Sequence, residues 1–275
     1  MNAQQMHSFQ TVVLAYYHGN GRHELPWRQH IEPYAILVSE LMLQQTQVAR
    51  VLPKFQQFMG TFPTLESLAQ ASLAEVLDMW LGLGYNRRAR FLHLAAQKIS
   101  EDYGGIVPSD QPSLEALPGI GPNTAGAILA YAFNKSAIFI ETNVRSVYIH
   151  HFFNDRSDVS DNEIKALLQQ TIDTTNPREW YWALMDYGTY LKAAVGNNIQ
   201  RSYHYKKQSK FEGSLRQLRG AVLQKLHTQA LSFEVLSEQM ADKRLPMVMA
   251  ALQAEGFLEQ SKEGLFCLTG SSRLP

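Results

Sequence analysis

The chain has 275 residues, 45% of them hydrophobic, with 25 Lys+Arg balanced by 25 Asp+Glu. That is enough apolar material for one large folded domain or two ordinary ones. The zero formal charge rules out a basic footprint spread over the whole molecule, so any nucleic-acid contact must be local. A lone cysteine, Cys267, excludes an internal disulfide and any multi-cysteine zinc or iron–sulfur site, and reads as a small core residue.

The first residues, MNAQQMHSFQTVVLAYYHGN, lack the charged and apolar regions of a secretory leader, and no apolar run reaches the roughly 18 residues of a membrane span. A cytoplasmic protein without a membrane partner is expected, nucleoid-associated if the cell is bacterial. Apolar residues recur at helical spacing, as in Leu65, Leu68, Ala69, Leu73, Val76, Leu77 and Trp80, while strand-like alternation is scarce. Pro63-Thr64 opens that segment, Gly82 and Gly84 close it, and Pro112-Ser113 opens the next. The main body is therefore predicted to be all-α.

Between two helical stretches lies Leu117-Pro-Gly-Ile-Gly-Pro-Asn-Thr-Ala-Gly126. Glycines let backbone N–H groups approach an anion, and the following helix begins with its positive dipole end there, so the turn can hold a phosphate. By itself such a turn is more often only a tight connection. About twenty residues on, the apolar run Ala137–Ile140 ends in Glu141, followed by Thr142-Asn143-Val144-Arg145, which places a carboxylate at a partly buried position. Alone, it would equally serve as a helix cap or a salt-bridge acid. Residues 201–225 concentrate Arg201, Lys206, Lys207, Lys210, Arg216, Arg219 and Lys225 against the single acid Glu212, a candidate phosphate contact. From about residue 208 a second unit is predicted. It has a helix from Ser214, others at about 232–241 and 245–255, then a hairpin turning at Glu263-Gly264 with LFCLTG as its second strand. Three helices and a hairpin make a winged-helix pattern, but the third helix, around Met247–Ala254, offers few base-reading side chains.

Several blocks occur in order: Leu25-Pro26-Trp27-Arg28, Pro33-Tyr34, the run Ser39-Glu40-Leu41-Met42-Leu43-Gln44-Gln45-Thr46-Gln47-Val48, and Trp80-Leu81-Gly82-Leu83-Gly84-Tyr85. With the hairpin and Glu141, they resemble the MutY-type adenine DNA glycosylases of the helix-hairpin-helix superfamily, continuously from about residue 25 to 190. The resemblance implies an all-α, two-lobed helix-hairpin-helix glycosylase fold over 1–207, with a small winged-helix-like module over 208–275. It implies that Glu40 protonates the target purine, that Glu141 stands where the family has its catalytic aspartate, and that Asn143 helps position Glu141. Trp27 and Arg28 would line the base pocket. Leu43, Gln44, Gln45, Thr46 and the Leu83-Gly84-Tyr85 turn would contact DNA around the lesion, with Gln45, Leu83 and Tyr85 filling the gap. Gly119, Gly121, Asn123 and Thr124 would grip the backbone phosphate.

The chemistry fits those residue types independently. Adenine leaves poorly as an anion, so a carboxylic acid whose pKa is raised in an apolar setting accelerates departure by protonating a ring nitrogen. A second, ionised carboxylate stabilises the oxocarbenium-like sugar left behind. Because the bond is unreachable inside a duplex, the nucleotide must be flipped out.

The sequence also departs from the family pattern. Asn123 stands where bifunctional relatives carry a Schiff-base lysine, so a monofunctional enzyme leaving an abasic site is predicted. Glu141 replaces aspartate, and one methylene moves a carboxylate by roughly 1.5 Å, a displacement that can cost about 100-fold in rate. The four cluster cysteines are missing from TYLKAAVGNNIQRSYHYKKQS. The iron–sulfur cluster is expected to be absent, and the basic loop to be ordered instead by Tyr203, Tyr205 and the tail module. The family's nucleotide-hydrolase-like C-terminal domain is not recognisable, which leaves the preferred opposite base open. Apart from the adjacent His150-His151, the histidines show no metal-ligand spacing. No cofactor is expected, and a structural cation at the hairpin is the one metal left open. The expected partner of a monomeric protein is double-stranded DNA carrying a mismatch or an oxidised base. Two alternatives stand beside mispaired-adenine excision: a G-mismatch uracil or thymine glycosylase, and an inactive damage-binding protein.

Overall fold

Helix boundaries follow capping chemistry written into the sequence. In this computed structural model, which describes residues 2–207 and 209–271, Asn2 and Gln5 exchange hydrogen bonds in a capping box that starts α1 (Ala3–Asn20). Proline occupies the first turn of α2 (Pro26–Gln29) and α3 (Pro33–Leu43), where its missing N–H has no helical partner anyway. After α4 (Val48–Thr61), the segment predicted as one helix from Leu65 to Trp80 is two, α5 (Leu65–Gln70) and α6 (Leu73–Trp80). The break is chemical. Ser72 Oγ accepts the Glu75 amide at 3.2 Å and the Glu75 carboxylate accepts the Ser72 amide at 2.7 Å, so a second capping box restarts the chain.

Next, α7 (Arg87–Tyr103) ends at Gly104, which takes the left-handed conformation such ends favour. Asp110 caps α8 (Gln111–Glu115), one residue ahead of the predicted Pro112 start. Then come α9 (Pro122–Phe133), α10 (Thr142–Phe152), α11 (Asp161–Thr171) and α12 (Pro177–Ala194). The C-terminal module contains α13 (Leu215–Thr228), α14 (Phe233–Met240) and α15 (Leu245–Ala254). Its antiparallel hairpin pairs β1 (Leu258–Gln260) with β2 (Phe266–Leu268), Glu259 facing Cys267. The order of three helices then a hairpin is the winged-helix-like arrangement expected.

The chain divides into two units. One comprises Met1–Glu40, Pro108–Ala116 and Ile120–Lys207. Its core forms where α12 packs on α1, α9 and α10, burying Trp180, Tyr181, Tyr148 and Phe139. Phe9 meets Tyr148 and Trp180 edge-on, which favours the ring quadrupoles. The other unit comprises Leu41–Val107, Leu117–Gly119 and Gln208–Pro275. Here α5 and α6 pack on α7 around Leu68, Phe58 and Trp80, while α13 covers α15 and β2 around Leu252, Phe257 and Cys267.

Candidate active site

Almost every residue of α3 from Ala35 to Met42 is buried, and Glu40 is the ionisable exception, half-buried with part of its surface open. Glu141 is also half-buried. Its extended backbone (φ −95°, ψ 172°) makes it the N-cap of α10, yet its side chain makes no capping bond, so the carboxylate is not consumed as a cap. Neither carboxyl has an ion-pair partner among the described residues, because the nearby arginines are engaged elsewhere: Arg28 with Asp186, and Arg145 with Asp161 at 2.6 and 2.7 Å. Burial raises Glu40 well above the usual carboxylate range, the Glu141 charge raises it further, and Arg28 opposes both. Burial also raises Glu141, against the pull of Arg145. Two like charges in electrostatic reach of each other repel, which disfavours ionising both carboxyls at once, and Glu40 carries the larger upward push.

Arg28 and Trp27 come from the one-turn helix α2 and are both buried. Arg28 grips Asp186 of α12 bidentately, Nη1 to Oδ2 at 2.7 Å and Nη2 to Oδ1 at 3.0 Å, and lies over the rings of Trp182 and Tyr17. Asp186 also accepts the Arg22 amide at 2.8 Å and Arg22 Nε at 2.7 Å. Arg28 Nε is buried and has no hydrogen-bond acceptor among the described residues. A buried donor left open in this way is a place for an acceptor atom on a bound group. Tyr131, buried and stacked on Trp182, lies within electrostatic reach of both Glu40 and Glu141. Asp186 and Tyr131 were not singled out from sequence. The available signal was an acid interrupting the buried run Trp180–Leu184 and Tyr187 of α12.

The arm carrying Glu141 is fixed from two sides. Asn123 Oδ1 accepts the Ile140 amide at 3.4 Å and its Nδ2 donates to the Ile140 carbonyl at 3.3 Å, so the side chain holds the residue before Glu141. Asn143 does not position Glu141 as expected; its Nδ2 donates to Thr189 Oγ1 at 3.4 Å, because the second position of α10 faces α12. There Gly188 permits the approach: an added Cβ would lie 2.6 Å from the Asn143 carbonyl oxygen. The loop after α12 is ordered by polar contacts rather than by Tyr203 and Tyr205, which are exposed. Asn198 donates to the Ser146 carbonyl at 2.9 Å and accepts the Ser146 hydroxyl at 2.6 Å. The Arg201 guanidinium donates to the Arg156 and Phe153 carbonyls, and Val159 bridges Ser202.

In the second unit two turns carry the predicted DNA-contacting residues. Gln45 (φ 56°) and Tyr85 (φ 49°) both adopt the left-handed backbone that side chains normally avoid. Arg88, unmarked by sequence reading, organises both turns. Its Nη1 donates to the carbonyls of Leu41 (3.0 Å), Met42 (2.7 Å) and Gln44 (2.5 Å), and its Nη2 to Thr46 Oγ1 (3.1 Å) and the Gly84 carbonyl (3.0 Å). The guanidinium sits between the rings of Trp80 and Tyr85, and burial lowers its pKa to about 10. Its signal in the sequence was a charge heading the apolar stripe Leu92, Ala95, Ala96 and Ile99 of α7. Leu43 is half-buried at the end of α3. Leu83 is 2% exposed and packs in the core of its unit, whereas Gln45 is exposed and Tyr85 half-buried.

At the hairpin, Gly119 (φ 77°) is irreplaceable on two counts, since a Cβ would also meet Phe91 Cβ at 2.5 Å. Gly121 caps α9, Pro122 follows, and Thr124 is half-buried in the first turn. Much of the basic segment is engaged within the protein: Arg216 with the Tyr85 hydroxyl, Arg219 with Glu255, and Lys225 with Gln239. Lys206, Lys207 and Lys210 are exposed, with no ion pair among the described residues.

This architecture is the helix-hairpin-helix fold of DNA glycosylases: a thermostable thymine-DNA glycosylase superposes with a TM-score of 0.61 at 23% identity, over 73% of this chain and 97% of that one. Residues 38–173 match the HhH-GPD superfamily of base excision DNA repair proteins. An adenine DNA glycosylase of Mycolicibacterium smegmatis is 34% identical over 96% of this chain and 97% of its own length. One of Buchnera aphidicola is 35% identical over 66% of this chain, which spans about half of that relative, 52%. The chain belongs to the HhH-GPD superfamily, within its adenine DNA glycosylase family.

Proposed function

We propose that this protein is a monofunctional DNA glycosylase that flips mispaired adenine, opposite 8-oxoguanine or G, out of duplex DNA and hydrolyses its N-glycosidic bond to leave an abasic site. The observation that carries this reading is the pair of carboxyls, Glu40 and Glu141, without ion-pair partners among the described residues and within electrostatic reach of each other, with Glu40 pushed well above the usual carboxylate range; in this reading Glu40 carries the proton. Glu40 gives its proton to a ring nitrogen of the departing purine, so the base leaves neutral. The Glu141 carboxylate faces the positive charge that develops on the sugar, stabilising or capturing it before water attacks. Arg28, braced by Asp186, presents its Nε–H to an acceptor of the base, and Trp27 lines the same pocket. Gln45 and Tyr85 fill the gap left in the duplex, and the hairpin around Gly119, Gly121 and Thr124 takes a backbone phosphate. Asn123 has only an amide nitrogen, which forms no Schiff base, so base loss ends at the abasic site.

The family's iron–sulfur cluster does not fit this chain. Its one cysteine, Cys267, lies in β2 with Sγ 3.5 Å from Glu259 Oε1, and the loop after α12 is closed by Asn198 and Arg201. No helix among the described residues is long and apolar enough to cross a membrane. We assign residues 1–207 to the glycosylase domain and 208–275 to the winged-helix-like module, in a monomer acting on DNA in the cytoplasm or nucleoid.

The test is single-turnover base release on duplexes with A opposite 8-oxoguanine, A opposite G, and T or U opposite G, for wild type, Glu40→Gln and Glu141→Gln. Adenine release abolished by either substitution is expected. Release of pyrimidines alone moves the protein to the mismatch uracil/thymine class, and mismatch binding without any release makes it a damage sensor.

A further inference from the structure

The C-terminal module reaches the turn that carries Tyr85 from two directions. From α13, Arg216 Nη1 donates to the Tyr85 hydroxyl at 2.5 Å, and the guanidinium lies over the Tyr85 ring, 5.6 Å from its centroid. From the end of α15, the Glu255 carboxylate binds Arg87 Nε at 3.1 Å and Arg219 Nη2 at 2.6 Å. Residues 85 and 87, on either side of Asn86, are thus each held by a charged side chain of the module. Gly256, beside Glu255, has φ 72°, a backbone that favours glycine, and lies against the Arg90 guanidinium of α7. Farther along α13, His227 meets Asp78 of α6 at 3.0 Å.

Arg216 thus sits on the one aromatic residue, among the described residues, whose backbone is in the left-handed region. Arg216 is itself fixed, because its Nη2 donates to the Ser209 carbonyl at 2.7 Å. Holding a side chain in its working rotamer before binding removes the ordering cost from the binding step.

We propose that the winged-helix-like module works as a brace: Arg216, itself fixed by Ser209, is a positioning residue that presets Tyr85 for insertion at a mismatch, while Glu255 holds the same turn through Arg87. This rests on the functional reading above. Its test uses the full chain with Arg216→Met, Tyr85→Phe and the double variant, Arg216→Met keeping the aliphatic stem and Tyr85→Phe removing only the hydroxyl. Without DNA, urea unfolding should show the midpoint shift of Arg216→Met at least halved in the Tyr85→Phe background. With DNA, the ratio of dissociation constants for matched duplex and for A opposite 8-oxoguanine should fall about tenfold in each single variant, the loss of one charge-assisted hydrogen bond, and no further in the double. Arg216→Lys, which retains a donor, should recover part of the ratio. Additive effects in a wild type that discriminates mismatches overturn the brace alone. A wild type with no mismatch preference overturns the functional reading, and the brace with it.

Discussion

The placement of Glu141 depends on how closely α10 approaches α12, and Gly188 sets that distance. A Cβ added there would lie 2.6 Å from the Asn143 carbonyl oxygen and 2.8 Å from Asn143 Cβ, whereas ordinary contact begins at 3.4 Å. In Gly188→Ala the first turn of α10 must therefore retreat by 3.4 less 2.6, about 0.8 Å. Neither partner atom is a flexible side-chain tip, so the shift passes to the N-cap, which is Glu141. A misplacement near 1 Å costs on the order of 100-fold in rate, so we expect base release to slow by about 30- to 100-fold. Overpacking should also destabilise the fold by about 1–3 kcal/mol. The assay is single-turnover release at saturating enzyme, at a temperature where urea and thermal curves show both proteins folded. Gly60→Ala in α4 is the control, since nothing lies within 4 Å of its added Cβ; a gain of about 0.5–1 kcal/mol and an unchanged rate are expected. A folded Gly188→Ala protein that releases base at the wild-type rate would refute the claim that this helix spacing aims Glu141.

Asp186→Asn should destabilise the protein by about 3–5 kcal/mol in urea unfolding, because it leaves the buried Arg28 guanidinium without its carboxylate. Burial pushes the Asp186 pKa up, but Arg28 and Arg22 outweigh it, leaving it below the ordinary 3.8. Its stabilisation is therefore complete above that value and lost as pH falls through the lower folded one, and acid unfolding of Asp186→Asn should lack this component. Arg88→Lys keeps the charge but cannot serve acceptors on two turns, so a loss of about 2 kcal/mol in stability together with weaker mismatch binding is expected; wild-type values for both would show that the turns hold themselves. With the Glu40 pKa raised by burial, the single-turnover rate should fall as pH rises through that value, because the acid form disappears. A rate that instead climbs with pH would assign the proton donor elsewhere.

Helix positions were legible because caps such as Thr64 and Ser214 are local signals acting over three residues. The split between α5 and α6 was equally local, a Ser72–Glu75 box, but the apolar spacing across it is continuous and masked it. In the site, Glu40 stood out through the ten-residue run around it and Glu141 through the apolar run before it. Asp186 and Arg88 were not legible, since their roles exist only through partners 158 and 44 residues away, for Arg28 and Gln44 respectively. The burial of Leu83 was not legible either: it lies in a turn whose neighbours are exposed, and only packing reveals that it points inward. The bonds of Arg216 and Glu255 to the Tyr85 turn were invisible for the same reason, and counting charges there suggested phosphate contacts instead.

Arg88 also bears on how variants of this chain are to be judged. A buried arginine heading an apolar stripe looks, by hydropathy, like a position that leucine would improve. Replacing it would take the donor from the carbonyls of Leu41 and Met42 and leave those of Gln44 and Gly84 to Thr46 and Trp80 alone, and loosen two turns that are distant in sequence through a single codon. Inherited or engineered changes at this position should therefore be ranked with changes to the acid and the carboxylate themselves, although Arg88 touches neither.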